Sequence, residues 1–182
     1  MTDRELIDKT RAGDNRAFER LVERYESQVA ATVIGMLGQC QAADDIGQDV
    51  FIRFYKALDR FRQESSLGTY LTRIAINLSL NELKRRKRRL LLFQKPEENT
   101  NLATMNPDDS MERNERQRLV EQAIQKLHPA FRAVVVLRLV EGYSTEETAQ
   151  ILAVPLGTVL SRLSRAQKKL IKTLTPLIKE EA

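Results

Sequence analysis

Apolar residues recur every three or four positions through most of the chain, and alternating strand patterns are absent. That periodicity predicts an all-α fold. A short helix near Asp3–Arg11 ends at Gly13, and Asp14 is placed to cap a long second helix. The apolar stripe of this helix is Phe18, Leu21, Val22, Tyr25, Val29, Val33 and Met36, and Gly38 closes it. A third helix is predicted from about Asp44 to Arg60, with Ile46, Val50, Phe54, Ala57, Leu58 and Phe61 on one side. After the polar loop "RQESS", Ser65 or Ser66 can cap a fourth helix. Its stripe is Leu67, Leu71, Ile74 and Leu78, and it runs into the basic cluster "KRRKRR".

From about Leu91 to Asp109 the period breaks, two prolines appear, and the segment reads as a linker. Helices resume near Ser110–Lys126. Pro129 suits the first turn of the next helix, which carries Phe131, Val134, Val135, Leu137 and Leu139 until "EGYS" breaks it. Two more helices are expected near Thr145–Leu152 and Gly157–Leu174. The expected organisation is two small helical domains, an N-terminal bundle at 1–90 and a C-terminal helix-turn-helix domain at 111–182. A flexible linker at 91–110 would join them.

Composition narrows the chemistry. The chain has 182 residues with a net charge of +5, a modest bias toward polyanionic partners. A single cysteine, Cys40, rules out an internal disulfide and a cysteine-based metal cluster. With His128 the only histidine, a multi-histidine metal site or a Ser-His triad lacks material. No metal-ligand spacing, glycine-rich phosphate loop or nucleophile motif appears. No catalytic residue, metal or cofactor is therefore expected. The charged N-terminus lacks a signal-peptide core and no apolar run approaches spanning length, so a soluble cytoplasmic protein without membrane insertion is expected. His128, before a helix-starting proline, reads as a local structural residue, and Cys40 as a connector or half-buried one.

The C-terminal stretch "YSTEETAQILAVPLGTVLSRLSRAQKKL" carries the most specific local signal. Ser144 with Glu147 forms a capping box, and Ala149 and Ala153 are small enough for two helices to cross. On the second helix, Val159, Leu163, Ala166, Leu170 and Leu174 form a core face. Ser161, Arg165, Lys168 and Lys172 lie opposite, with Arg162 and Lys169 alongside. A short-polar and basic face of this kind suits a major groove. A plain helical hairpin with a solvated basic face would show the same pattern.

In the N-terminal part, Tyr70, Arg73, Asn77 and Lys84 form a second stripe on the fourth helix. An aromatic, a cation and an amide in a row suit base stacking, phosphate contact and base-edge hydrogen bonding. Alternatively, Tyr70 and Phe61 are core aromatics and the polar residues face water. The third helix sets Asp45, Gln48, Asp49 and Ile52 at i, i+3, i+4, i+7, with Phe51 and Tyr55 to one side. Apolar side chains among acids on an outer face suggest a protein partner, or a bundle with more than one packed face. Gly47, inside that helix, costs about 1 kcal/mol relative to alanine.

Together, "GDNRAFERLVERY", "AADDIGQDVFIRFYKALDRFR", "ESSLGTYLTRIAIN" and "LRLVEGYSTEETAQILAVPLGTVLSRLSRAQKKL" occur in the order found in the extracytoplasmic-function (ECF) group of bacterial RNA polymerase sigma factors. The chain resembles that group over nearly its whole length. The resemblance implies that the third helix docks on the clamp helices of the polymerase β′ subunit through Asp45, Gln48, Asp49 and Ile52. It implies a pocket for a flipped base of the minus-10 promoter element. That site would comprise Phe61, the loop residues Arg62, Gln63, Glu64, Ser65 and Ser66, and Tyr70, Arg73, Asn77 and Lys84. It implies minus-35 reading by Arg138, Thr158, Ser161, Arg162, Arg165 and Lys168, with the β flap as a second polymerase contact. Promoter DNA and an anti-sigma factor are the other implied partners. Tyr70 stands where the group commonly has tryptophan, and Leu160 and Ser164 where relatives are often basic or aromatic.

Overall fold

The computed structural model describes the backbone of residues 1–61, 65–93 and 111–180, and the side chains within them except 93, 111–114 and 177–180. Among the described residues the chain is helical and has no strand. The helices are α1 (Asp3–Arg11), α2 (Asn15–Leu37), α3 (Gln41–Ala57), α4 (Leu67–Phe93), α5 (Met111–Gln125), α6 (Pro129–Val135), α7 (Thr145–Leu152) and α8 (Leu156–Glu180). A 3-10 turn, Leu58–Arg60, extends α3, and a π-helical turn, Val136–Val140, extends α6.

Local chemistry sets most boundaries. Thr2 and Glu5 make a reciprocal capping box at the start of α1. Asp14 accepts from the N–H groups of Arg16 and Ala17 at the start of α2, as its position predicted. Gly38 ends that helix at φ +76°, and its N–H returns to the Ile34 carbonyl. The third helix begins earlier than Asp44, because Cys40 takes the N-cap position with extended backbone, though its side chain makes no capping bond. Ser66, the second of the two candidate caps, accepts from the Thr69 N–H at 3.1 Å. The fourth helix continues to Phe93, past the break expected at Leu91. His128 caps α6 through Nδ1, which accepts from the Ala130 N–H at 3.3 Å.

The N-terminal core is built from the predicted stripes: Leu21, Val29, Val33 and Met36 of α2, Val50 and Phe54 of α3, and Leu67, Leu71 and Leu78 of α4 are all buried. In the C-terminal part, Val134, Val135, Leu137, Val159 and Ala166 are buried as expected. Leu139 is not: it is 53% exposed. The π-helical turn adds a residue to the helical repeat, and the Glu141 N–H bonds to the Val136 carbonyl five residues back. That extra residue rotates Leu139 and Val140 off the face that holds Val136 and Leu137. The two groups of helices also pack on each other, since α5, α6 and the π-helical turn contact α2, and α7 contacts α4.

The helix-turn-helix forms from α7, a short turn and α8. Ala153, expected at the helix crossing, is instead an exposed C-cap in the left-handed region at φ +51°. The Val154 N–H bonds back to the Ala149 carbonyl at 3.1 Å, which requires this backbone reversal. A Cβ is unfavourable there by about 1–2 kcal/mol. Ala153→Gly is therefore expected to stabilise the protein by about 1 kcal/mol and to raise the thermal midpoint by about 2–4 °C in a calorimetric scan.

Candidate nucleic-acid interface

The aromatic cluster at the α3–α4 corner holds the first candidate site. Phe61 is buried, with its ring centroid 4.7 Å from that of half-buried Tyr70 and 5.7 Å from that of Phe54. Phe61 is thus a floor residue of the corner, and Tyr70 is the aromatic that reaches the surface. Arg73 is half-buried and its Nε has no partner, while Asn77 and Lys84 are exposed further along α4. Ser65 is half-buried, and exposed Ser66 is engaged in capping α4. Arg62, Gln63 and Glu64 lie outside the described residues.

A residue that periodicity could not single out holds this corner. Arg11, at the end of α1, donates from Nε and Nη2 to the Leu58 carbonyl at 3.2 and 2.8 Å. Nη2 also donates to the Phe61 carbonyl at 2.7 Å. The Leu58 carbonyl also accepts from the Phe61 N–H at 3.2 Å, so one guanidinium ties the 3-10 turn and the start of the loop to the end of α1. Nothing in the sequence marks Arg11, because its acceptors are backbone atoms about fifty positions away.

The basic run is less free than its composition suggests. Buried Glu82 draws in Arg85 at 2.7 Å, Arg86 at 3.0 Å and Arg89 at 3.8 Å. Burial pushes the Glu82 carboxyl up, but hydrogen bonds and charges from Arg85 and Arg86 outweigh it and hold it below the usual carboxylate range. Arg86 also donates to the Cys40 Sγ at 3.3 Å, tying the end of α4 to the start of α3. Lys84, Lys87 and Arg88 are exposed, so the solvent-facing cations of the run are interleaved with anchored ones.

The outer face of α3 presents Asp45, Gln48 and Ile52 to solvent, with Asp49 half-buried. Gln41 donates to Asp45 at 3.1 Å and Arg53 to Asp49 at 2.9 Å, one helical turn away in each case. Ile52 and Tyr55 are about half exposed, so apolar surface stands among acids as the pattern predicted. No Cβ-blocking atom lies near Gly47.

On α8, Ser161, Arg165 and Lys168 are exposed, and Thr158 and Arg162 are half-buried. The Ser161 hydroxyl donates to the Thr158 carbonyl at 3.1 Å. Lys169 leaves this face and sets its Nζ 5.2 Å from the centroid of Phe131 on α6. Arg138 is half-buried and donates from Nη1 to the Tyr143 carbonyl, supporting the turn before α7. Leu160, exposed, lies beside Ser161 on the same helix. Among the described residues no group of acids, cysteines or histidines could hold a metal ion, and no helix is long and apolar enough to cross a membrane.

Comparison with known proteins bears on both halves. Residues 21–89 match the model of sigma-70 region 2, and residues 117–170 match sigma-70, region 4. The chain is 35% identical to the RNA polymerase sigma-H factor of Pseudomonas aeruginosa, an alignment that covers 98% of this chain and 96% of that one. It is 34% identical to the ECF RNA polymerase sigma-E factor of Escherichia coli, with 98% and 97% covered. Among solved structures, CnrH in complex with the cytosolic domain of CnrY is similar at TM-score 0.66 and 27% identity, with 99% of both chains covered. The sigma factor RpoE of Bartonella quintana, solved with the anti-sigma factor NepR, shares the fold at TM-score 0.71 and 23% identity, covering 87% of this chain and 96% of that one.

Proposed function

Because the chain belongs to the extracytoplasmic-function group of RNA polymerase sigma factors, we propose residue-level roles for its two exposed faces and its helix-turn-helix. As a sigma factor it binds core RNA polymerase, recognises minus-35 and minus-10 promoter elements and promotes melting for transcription initiation. Polymerase supplies the catalysis, and this chain works without a cofactor. The proposed division is 1–90 for core and minus-10 binding, 91–110 as linker and 111–182 for minus-35 binding.

Asp45, Gln48, Asp49 and Ile52 dock on the β′ clamp helices, where the half-exposed apolar surface of Ile52 gains by losing water. A base extruded from the minus-10 element lies over Tyr70 and is bonded at its edge by Asn77. Phe61 floors the pocket, and Arg62, Gln63, Glu64, Ser65 and Ser66 form its loop. Trapping that base stabilises the melted state. Arg73 and Lys84 contact phosphate, and this positions the duplex without reading it. Ser161, Arg162 and Arg165 face the major groove of the minus-35 element, with Thr158, Lys168 and Arg138 toward the backbone and the β flap nearby. The chain works in the cytoplasm and is restrained by an anti-sigma factor, as the partners of its structural relatives suggest.

The observation that carries this proposal is the presence, on one N-terminal bundle, of two exposed faces of opposite character. The α3 face is acidic and apolar, and the α4 face is aromatic, amide and basic. A stand-alone helix-turn-helix repressor has no use for the first. Run-off transcription with purified core polymerase on a promoter library is expected to yield discrete start sites only when this chain is added. Arg165→Ala is expected to lower minus-35-dependent recruitment about tenfold, the loss of one groove contact worth about 1–3 kcal/mol. Stoichiometric failure to bind core would instead support the repressor.

A further inference from the structure

We infer that Leu160 is a specificity-determining residue of the minus-35 contact, and that it reads the C5-methyl group of a thymine in the major groove. The inference rests on the minus-35 reading above and adds an apolar contact to its polar and basic ones.

Packing fixes the rotation of α8. Val159 and Ala166 are fully buried, and Leu163 and Leu170 are half-buried on the same side. At about 100° per residue, Ser161 and Lys168 then stand opposite the core. Arg165 lies to one side of them, and Ser164 and Leu160 lie to the other. Lys169, turned back to Phe131, belongs to the flank away from Leu160. Leu160 is 49% exposed, and Leu156, one turn before it, is 41% exposed. Both belong to the first turns of α8, the part of a recognition helix that meets base edges. Ser164, one turn further on, is exposed and short, so the space beside Leu160 stays open to a base-pair edge.

A solvent-facing leucine by itself is ordinary. The setting of this one is not, because it shares the groove-facing end of α8 with Ser161, Ser164, Arg165 and Lys168. Those hydroxyls and cations match polar base edges and phosphates. In the major groove the apolar group is the thymine C5-methyl, whereas guanine, adenine and cytosine present donors and acceptors. Leu160 over a thymine removes apolar surface from water on both partners. Leu160 over a cytosine covers an amino group and returns no hydrogen bond, which costs free energy. One side chain thus favours thymine and disfavours cytosine at one position, a discrimination that phosphate contacts cannot provide.

The test uses holoenzyme made from core polymerase and the full chain, on a cognate promoter. Each minus-35 thymine, on either strand, is replaced singly by deoxyuridine, which removes the methyl group and keeps the pairing. Wild type is expected to lose about fourfold in affinity at one thymine, the effect of uncovering one methyl group. Leu160→Ala should bind the unmodified promoter about fourfold more weakly and be indifferent to deoxyuridine at that position, because the two changes remove the same contact. Leu160→Arg should be equally indifferent there, while its salt dependence steepens by about one counterion through an added phosphate contact. Leu160 is on the surface, so both variants should keep the fold and bind core like wild type. A wild type indifferent to deoxyuridine at every thymine overturns the inference. So does a sensitivity that persists unchanged in Leu160→Ala, since the methyl group is then read by another residue or through duplex shape. In those two cases a scrambled minus-35 element that still weakens binding leaves the minus-35 reading standing. If scrambling the element has no effect, that reading fails and the leucine contact fails with it.

Discussion

Asn77→Ala is expected to lower open-complex formation about thirtyfold while leaving core-polymerase binding unchanged. Asn77 lies one turn beyond Arg73 and two beyond Tyr70, exposed on the surface of α4. Its amide offers both donors and an acceptor, the combination that matches a base edge. Extruding a base requires a few kcal/mol, recovered by stacking and edge hydrogen bonds in the pocket. Loss of about 2 kcal/mol of that recovery corresponds to about thirtyfold at 25 °C. The substitution is on the surface, so folding stability should change by less than about 0.5 kcal/mol. Permanganate footprinting of the minus-10 thymines, alongside a core-binding titration, separates the two steps. Unchanged reactivity at a cognate promoter would remove Asn77 from the pocket.

The second large effect concerns stability. Arg132 is 7% exposed, and its guanidinium serves acceptors from three places: the Met36 carbonyl, the Leu127 carbonyl at 3.2 Å, and Gln125 through both its carbonyl and its Oε1, the latter at 2.8 Å. Burial, and then the nearby Arg86 charge, push this group down to about 10, so it stays charged at neutral pH. Arg132→Ala strands these acceptors where water enters poorly, and a loss of about 3–5 kcal/mol is expected. The thermal midpoint should fall by about 8–16 °C. Arg132→Lys should not restore it, because a single ammonium cannot reproduce the planar fork. A urea-melt difference below about 1 kcal/mol would mean that the guanidinium is not the joint these contacts suggest.

Helix existence and core membership were legible because both follow from local periodicity. The stripes Leu21–Val29–Val33–Met36 and Leu67–Leu71–Leu78 are core in the structure. Caps at Asp14 and Ser144, and that of α4 to within Ser65 or Ser66, were legible for the same reason, since the donor and acceptor lie within three residues. Leu139 and Ala153 were misplaced because each depends on backbone geometry that hydropathy does not encode. One follows a π-helical turn and the other adopts a left-handed cap. In the candidate sites, the exposed faces of α3 and α8 were visible as stripes. Arg11 was not, because its acceptors are carbonyls and carbonyls carry no residue identity.

The basic run shows the same division. Its charges are evident from composition, yet Glu82 two residues upstream turns half of it into an anchored cluster, and only burial reveals that the acid faces inward. By itself, then, the sequence determined the helices, their buried faces, the helix-turn-helix and the family, all properties written within a few turns of chain. Tertiary structure alone decided that α2 is capped by Gln125 and Arg132, that Tyr143 closes on Gln28 and Thr72, and that Gly35 is bare to admit Val136. Those contacts join residues about 70 to 115 positions apart, and their free energy depends on shape and on unsatisfied backbone groups, neither of which a linear pattern records.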